Sequence, residues 1–237
     1  MGREFVMKRG IFFTIISVLM LLSVQSVCAD TIPLSGSVST TNSGIIATPS
    51  WSYGAGTTLA WKIEDHGSYY TYSYEFIVPL LDKDKVKNLS HIIFEVSDNF
   101  TAANFLDSSA DMYDDLSSFS SENGNPGMPG SFEVGLKFEN EEGNLLKSSL
   151  GEATKTFFIV FDSDRVPTWG DFYAKDGDEE ACDKKVFVTA WNSGLMYPET
   201  GAKIVVPDTL PKVPVPGAVL LGILGVTISG MKLRKYT

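Results

Sequence analysis

The sequence predicts a mainly β protein: an antiparallel β-sandwich, with an N-terminal signal peptide before it and a single C-terminal hydrophobic helix after it. Three observations carry this. Several runs alternate apolar and polar residues with period two, the mark of a strand with one buried face. Segments rich in Gly, Pro, Asn and Asp separate those runs. No long 3.6-residue period competes with them, and "TAANFLDSSADMYDDL" holds at most one or two helical turns. Strands with this punctuation suggest two packed antiparallel sheets.

In chain order, the first element is the leader, residues 1–29. Arg3, Lys8 and Arg9 precede an apolar run from Ile11 to Leu22, and Val27-Cys28-Ala29 then offers a small-x-small-like site. A basic start, a short apolar core and such a site define a secretory signal, cut between Ala29 and Asp30. The competing readings are a membrane-anchoring helix, for which the core is short, and lipid attachment at Cys28, for which Val27 fits poorly.

The β-domain is expected over residues 30–206. In "YYTYSYEFIV", Tyr70, Tyr72, Tyr74 and Phe76 share one face against Thr71, Ser73 and Glu75. In "HIIFEV" the shared face is Ile92, Phe94 and Val96, and in "FEVGLKF" it is Phe132, Val134, Leu136 and Phe138. "TFFIVF" is apolar on both faces, which predicts a central strand covered from both sides. "KKVFVTAW" sets Val186, Val188 and Ala190 against Phe187, Thr189 and Trp191, while "SENGNPGMPGS" and "YAKDGDEEA" read as turns.

A Pro-rich linker is expected over 207–216 and a hydrophobic helix with a basic tip over 217–237. Pro214 and Pro216 block helix propagation, so a helix starts after them. Residues 217–231 are apolar or small, and Lys232, Arg234 and Lys235 follow. The stretch approaches the length of a thin membrane span, and its basic end favours the cytoplasmic side. Gly217, Gly222, Gly225 and Gly230 suit close helix approach in a membrane. The plainer alternative is a buried helix of the domain.

A proline-x-proline motif, a glycine-bearing apolar span and a basic tip together resemble the PEP-CTERM sorting tail. The sorting motif maps onto Pro214, Val215 and Pro216, with Val215 where the family carries glutamate, and onto Lys232, Arg234 and Lys235. The resemblance implies export, an exosortase-like protease as partner, and a precursor held in the inner membrane by its C-terminal helix. It further implies a mature form at the cell surface or outside the cell. "SHIIFEVS", "NPGMPGSFEVGLKF" and "FDSDRVPTWGDFYAKDG" also resemble segments in a subset of such exported proteins. That subset has no assigned activity, so no catalytic residue is implied.

The net charge is −10; setting aside the +2 of residues 1–29 and the +3 of the basic tip leaves residues 30–231 at −15. Such a surface repels nucleic acid, whose binding needs a basic footprint, and favours cations. With Cys28 in the leader, Cys182 is the one cysteine expected in the mature chain, so an internal disulfide is excluded. His66 and His91 are the only histidines, too few for a histidine-rich zinc site. No Gly-x-Ser-x-Gly elbow is present for a serine hydrolase.

Three constellations remain. Asp162, Asp164 and Asp171 flank the Trp169 segment and are candidate calcium ligands, calcium being the one cofactor considered. The EF-hand frame is missing, and a solvated acidic face is the favoured reading of these residues. Carboxylate pairs raise glycoside hydrolysis, but pairs arise by chance in so acidic a chain. Trp51, Trp61, Trp169 and Trp191, with the tyrosine stripe, are candidates for a sugar-stacking platform, although aromatics at strand period usually form core. The expectation is an exported, non-enzymatic surface or matrix protein. A carbohydrate-binding module, calcium-assisted or not and facing exopolysaccharide, stands second, and a hydrolase third.

Overall fold

The tyrosine stripe lies where its alternation places it. Strand β4 (Tyr70–Pro79) buries Tyr70, Tyr72, Tyr74, Phe76 and Val78 and turns Glu75 to solvent. It pairs antiparallel with β3 (Thr58–Asp65) through a tight turn at Gly67. Gly67 has φ 86°, and its N–H donates to Asp65 Oδ1 at 2.7 Å. A residue with a Cβ is disfavoured at that dihedral.

A computed structural model describes residues 32–80, 89–106, 115–139, 146–181 and 184–211. The leader with Ala29 and Asp30, the tail with Pro214, Val215, Pro216, Lys232, Arg234 and Lys235, and Cys182 lie outside the described residues. The described part is mainly β and antiparallel, and it belongs to one compact unit that begins at Ile32.

Two larger sheets face each other. The first runs β1-β3-β4-β9-β8, adding β1 (Ser35–Ser39), β8 (Lys147–Leu150) and β9 (Thr154–Ser163). The second runs β2-β12-β11-β5-β7-β6. Its members are β2 (Ile45–Ala47), β5 (His91–Val96), β6 (Asp115–Ser120), β7 (Ser131–Glu139), β11 (Phe172–Ala181) and β12 (Lys184–Asn192). A two-stranded ribbon pairs β10 (Arg165–Gly170) with β13 (Ile204–Pro211). Short helices α1 (Pro49–Ser52) and α2 (Ser193–Met196) and a 3-10 turn, Ala102–Asn104, complete the described elements.

Aromatic rings from both sheets meet in the core. Tyr74 stacks on Phe94 at 4.3 Å, Phe138 on Phe161 at 5.5 Å, and Phe76 meets Phe172 edge-on at 6.1 Å. Tyrosine is tolerated at such depth when its hydroxyl finds a partner. The ribbon supplies those partners: Tyr72 Oη donates to Arg165 O at 2.7 Å and Tyr74 Oη to Val205 O at 2.9 Å. Burial pushes the Tyr74 hydroxyl well above its ordinary range, so it stays a donor.

Several expectations need correction. "HIIFEV" is buried on both faces, because His91 and Ile93 are covered as fully as Ile92 and Phe94. The cover is the turn-rich segment after β6. Met128 packs with Ile93, Phe119, Phe132 and Tyr173 in a second cluster, Tyr173 Oη donates to Pro126 O, and His91 Nε2 meets Asn125 Oδ1 at 3.0 Å. Phe132 accordingly joins this outer cluster, while Leu136 and Phe138 enter the main core. Conversely "TFFIVF" is covered on one face. Phe157, Ile159 and Phe161 are buried, Phe158 is half-buried and Val160 is 45% exposed, because the covering segment lies on the other sheet. "YAKDGDEEA" is not a turn but all of β11 after Phe172, which passes an irregularity between Lys175 and Asp178 and stays paired with β12 to Ala181. Strand β13 reaches Pro211, five residues into the segment expected to be linker, with Pro211 opposite Arg165.

Candidate functional site

Each candidate carboxylate has a protein partner. Asp162 accepts from Thr71 Oγ1 across the β4–β9 pair. Asp164 accepts from Asn104 Nδ2 at 2.9 Å and faces Arg165 Nε at 3.8 Å. Asp171 accepts from Asn192 Nδ2. Strand β10 lies between Asp164 and Asp171, and a strand of that length spans about 20 Å. Among the described residues, no three histidine, cysteine, aspartate or glutamate side chains gather as a metal-holding group.

"SDRVPTW" serves the fold at its first half and the surface at its second. Arg165 is buried, donates to Asn99 Oδ1 (3.1 Å), Asn99 O (2.8 Å) and Asn104 Oδ1 (3.1 Å), and lies over the Phe100 ring. It ties the segment after β5 to the ribbon. Pro167 is accommodated because the ribbon is short and proline is tolerated where a strand is irregular or at an edge.

Of the four tryptophans, Trp51 and Trp61 are buried and Trp191 packs against the outer cluster. Trp169 is 40% exposed. The tyrosine stripe is core, which leaves Trp169 as the exposed member of the expected aromatic platform. Its indole is held edge-on against Trp61, 6.4 Å between ring centroids at 87°, and Trp61 Nε1 in turn donates to Pro33 O at 3.3 Å. A side chain pinned in this way presents a surface with little rotamer freedom left to lose.

Trp169 stands between two recesses. One, of about 330 Å³, is lined by Glu95, Ser97, Asp98, Thr168 and Lys203 among others. The other, of about 480 Å³, is a more open groove that takes in Ser37, Trp61, Glu199 and again Lys203. Trp169 and Lys203 belong to both, so the two form one continuous surface. Gly170 opens the first. A Cβ there would lie 2.4 Å from Val206 Cγ2 and 3.4 Å from Glu95 Oε2, so any larger residue would push the ribbon apart or fill the floor.

The electrostatics are set by partial burial. Glu95 Oε2 accepts from the Asp171 N–H at 3.1 Å, and the Glu95 N–H donates to Asp171 O at 2.8 Å. Burial, then the neighbouring Asp171 charge, raises the Glu95 carboxyl; the Asp171 N–H and Lys203 oppose this. Burial also raises Asp171, against the Asn192 hydrogen bond and Lys203. Two carboxylates that resist ionisation therefore lie against one ammonium, beneath an exposed indole.

Sequence reasoning singled out Trp169 and Asp171 here but missed Glu95, Asp98, Gly170 and Lys203. Glu95 had a signal: it is the one carboxylate inside the apolar run "HIIFEV". Lys203 had none, since the fold alone carries it to Trp169. No family model, curated protein or solved structure matches the chain. Among the described residues no helix is long and apolar enough to cross a membrane.

Proposed function

We propose that the chain is an exported, non-enzymatic protein of the cell surface or extracellular matrix, delivered by its two ends. The observation that carries this is the pairing of a leader ending at Ala29 with a tail built of Pro214, Val215, Pro216, an apolar span and Lys232, Arg234 and Lys235. In this reading the tail holds the precursor in the inner membrane until an exosortase-like protease cuts near the prolines. The basic tip stays inside because those charges resist crossing the hydrocarbon. Strand β13 supports the scheme, because its pairing with β10 runs to Pro211, ahead of the prolines near which the cut is proposed. The test is intact mass of surface and secreted material from a host with a matching protease. A mature species starting at Asp30 and lacking Tyr236 and Thr237 is expected. Retention of Met1 or of Thr237 overturns the scheme.

A second reading gives the domain a ligand, and the exposed Trp169 between two recesses favours it. A rigid indole offers a flat apolar face, while Ser97, Thr168, Glu95, Asp98 and Lys203 offer hydrogen-bonding groups around it. Apolar surface with a few convergent polar groups is the usual make-up of a ligand site, and an indole face against polar rims suits the mixed surface of a sugar ring. The domain is then a carbohydrate-binding module facing exopolysaccharide. Binding to an oligosaccharide panel, lost in Trp169→Ala, is the expected result. Cleavage of any bound oligosaccharide would show a hydrolase instead.

A further inference from the structure

The recess beside Trp169 holds more acid than base. Glu95 and Asp98 line it and Asp171 lies directly behind Glu95, against the single ammonium of Lys203. Glu95 commits one oxygen, Oε2, to the Asp171 N–H. Among the described residues neither its other oxygen nor the Asp98 carboxylate has a hydrogen-bond or ion-pair partner. Lys203 carries no ion pair there either, so the recess sets the Glu95 and Asp98 carboxylates against one ammonium. An ammonium entering the recess meets carboxylates and an indole face, and both attract it. The acidic surface around the site strengthens the attraction at long range and disfavours anionic chains.

Resting on the saccharide reading above, we propose that the Trp169 surface binds a saccharide carrying free amino groups, with one ring against the indole and an ammonium between Glu95 and Asp98. A lysine side chain satisfies the same charges but not the space. Recesses of about 330 and 480 Å³ on either side of one aromatic ring suit consecutive rings of a chain better than a single alkyl-ammonium tip.

The test uses the full chain purified in detergent and four probes of equal length: a glucosamine tetramer, its N-acetylated counterpart, a galacturonate tetramer and a lysine tetrapeptide. The glucosamine tetramer is expected to bind about tenfold or more tighter than the N-acetylated one, the scale of one charge-assisted hydrogen bond. Added salt and Asp98→Asn are each expected to shrink that preference. Asp98 is exposed and its side chain makes no hydrogen bond or ion pair among the described residues, so this variant keeps the test valid if Glu95→Gln fails to fold. Equal affinity for the amine and acetylated tetramers, or preference for galacturonate, overturns the amine specificity and leaves the saccharide reading standing. Equal binding of the lysine tetrapeptide overturns the saccharide assignment. Binding of none of the four, or binding untouched by Trp169→Ala, overturns both.

Discussion

Acid should destabilise this domain through His91. The imidazole sits on β5 under the segment after β6, 5% exposed, with Nε2–H donating to Asn125 Oδ1 at 3.0 Å. Asn125 is itself fixed by donating Nδ2 to Asn123 O and Ser120 O. Burial and the nearby Lys137 lower the imidazole from 6.5 to about 4; Lys175 adds to this, and Asn125 and Glu139 oppose it. The folded state therefore holds His91 neutral where the unfolded chain already binds a proton. Stability is fully present above about pH 6.5 and is lost as the pH falls toward 4. The shift corresponds to about 3 kcal/mol by pH 4, a large fraction of the usual stability of a domain. Glu95 and Asp171 act in the opposite sense. Their raised carboxyls take up protons first in the folded state, so acid relieves a strain that they impose at neutral pH. A comparison with His91→Gln separates the effects, because glutamine can still donate to Asn125 but does not titrate. Urea unfolding of both proteins from pH 7 to pH 4 reads the difference. Wild type is expected to lose about 3 kcal/mol relative to the variant across that window. Parallel curves would refute the reasoning and place the acid sensitivity elsewhere.

Further outcomes follow from the core and the ribbon. Tyr74→Phe strands the Val205 carbonyl that its hydroxyl reaches, and should cost about 1–2 kcal/mol in chemical denaturation. Phe161→Ala removes a ring that touches Tyr72, Phe105 and Phe138, and should cost about 3–5 kcal/mol, the range for emptying a large aromatic site. A chain ending at Pro211 should melt like the full chain, whereas one ending at Lys203 should fail to fold, since Ile204, Val205 and Val206 are all buried. Equal melting of the two truncations would show that β13 is dispensable. Gly170→Val should weaken saccharide binding and stability together, because its side chain meets Val206 and the recess floor.

What the sequence determined by itself was local. Period-two alternation identified β4, β5, β7 and β12, because side-chain direction in a strand depends on nothing beyond the strand; β9 was marked only by its apolar run. The buried tyrosines, the antiparallel β class and the turn-rich segment between β6 and β7 were legible for that reason. The sorting signals proposed for the two ends are likewise readings of linear order, of charge and apolarity along the chain. What covers each outer face was a tertiary decision. "TFFIVF" and "HIIFEV" look equally greasy, yet the Asn125–Met128 segment folds over the second and leaves Val160 of the first in solvent. "YAKDGDEEA" carries turn residues, but pairing with β12 supplies hydrogen bonds that outweigh weak local preference. The candidate site is the extreme case. Glu95 with Asp98, Trp169 and Lys203 come from three segments, the outer two more than a hundred residues apart, and only the docking of the β10–β13 ribbon against β5 brings an indole, its carboxylates and one ammonium to a single surface.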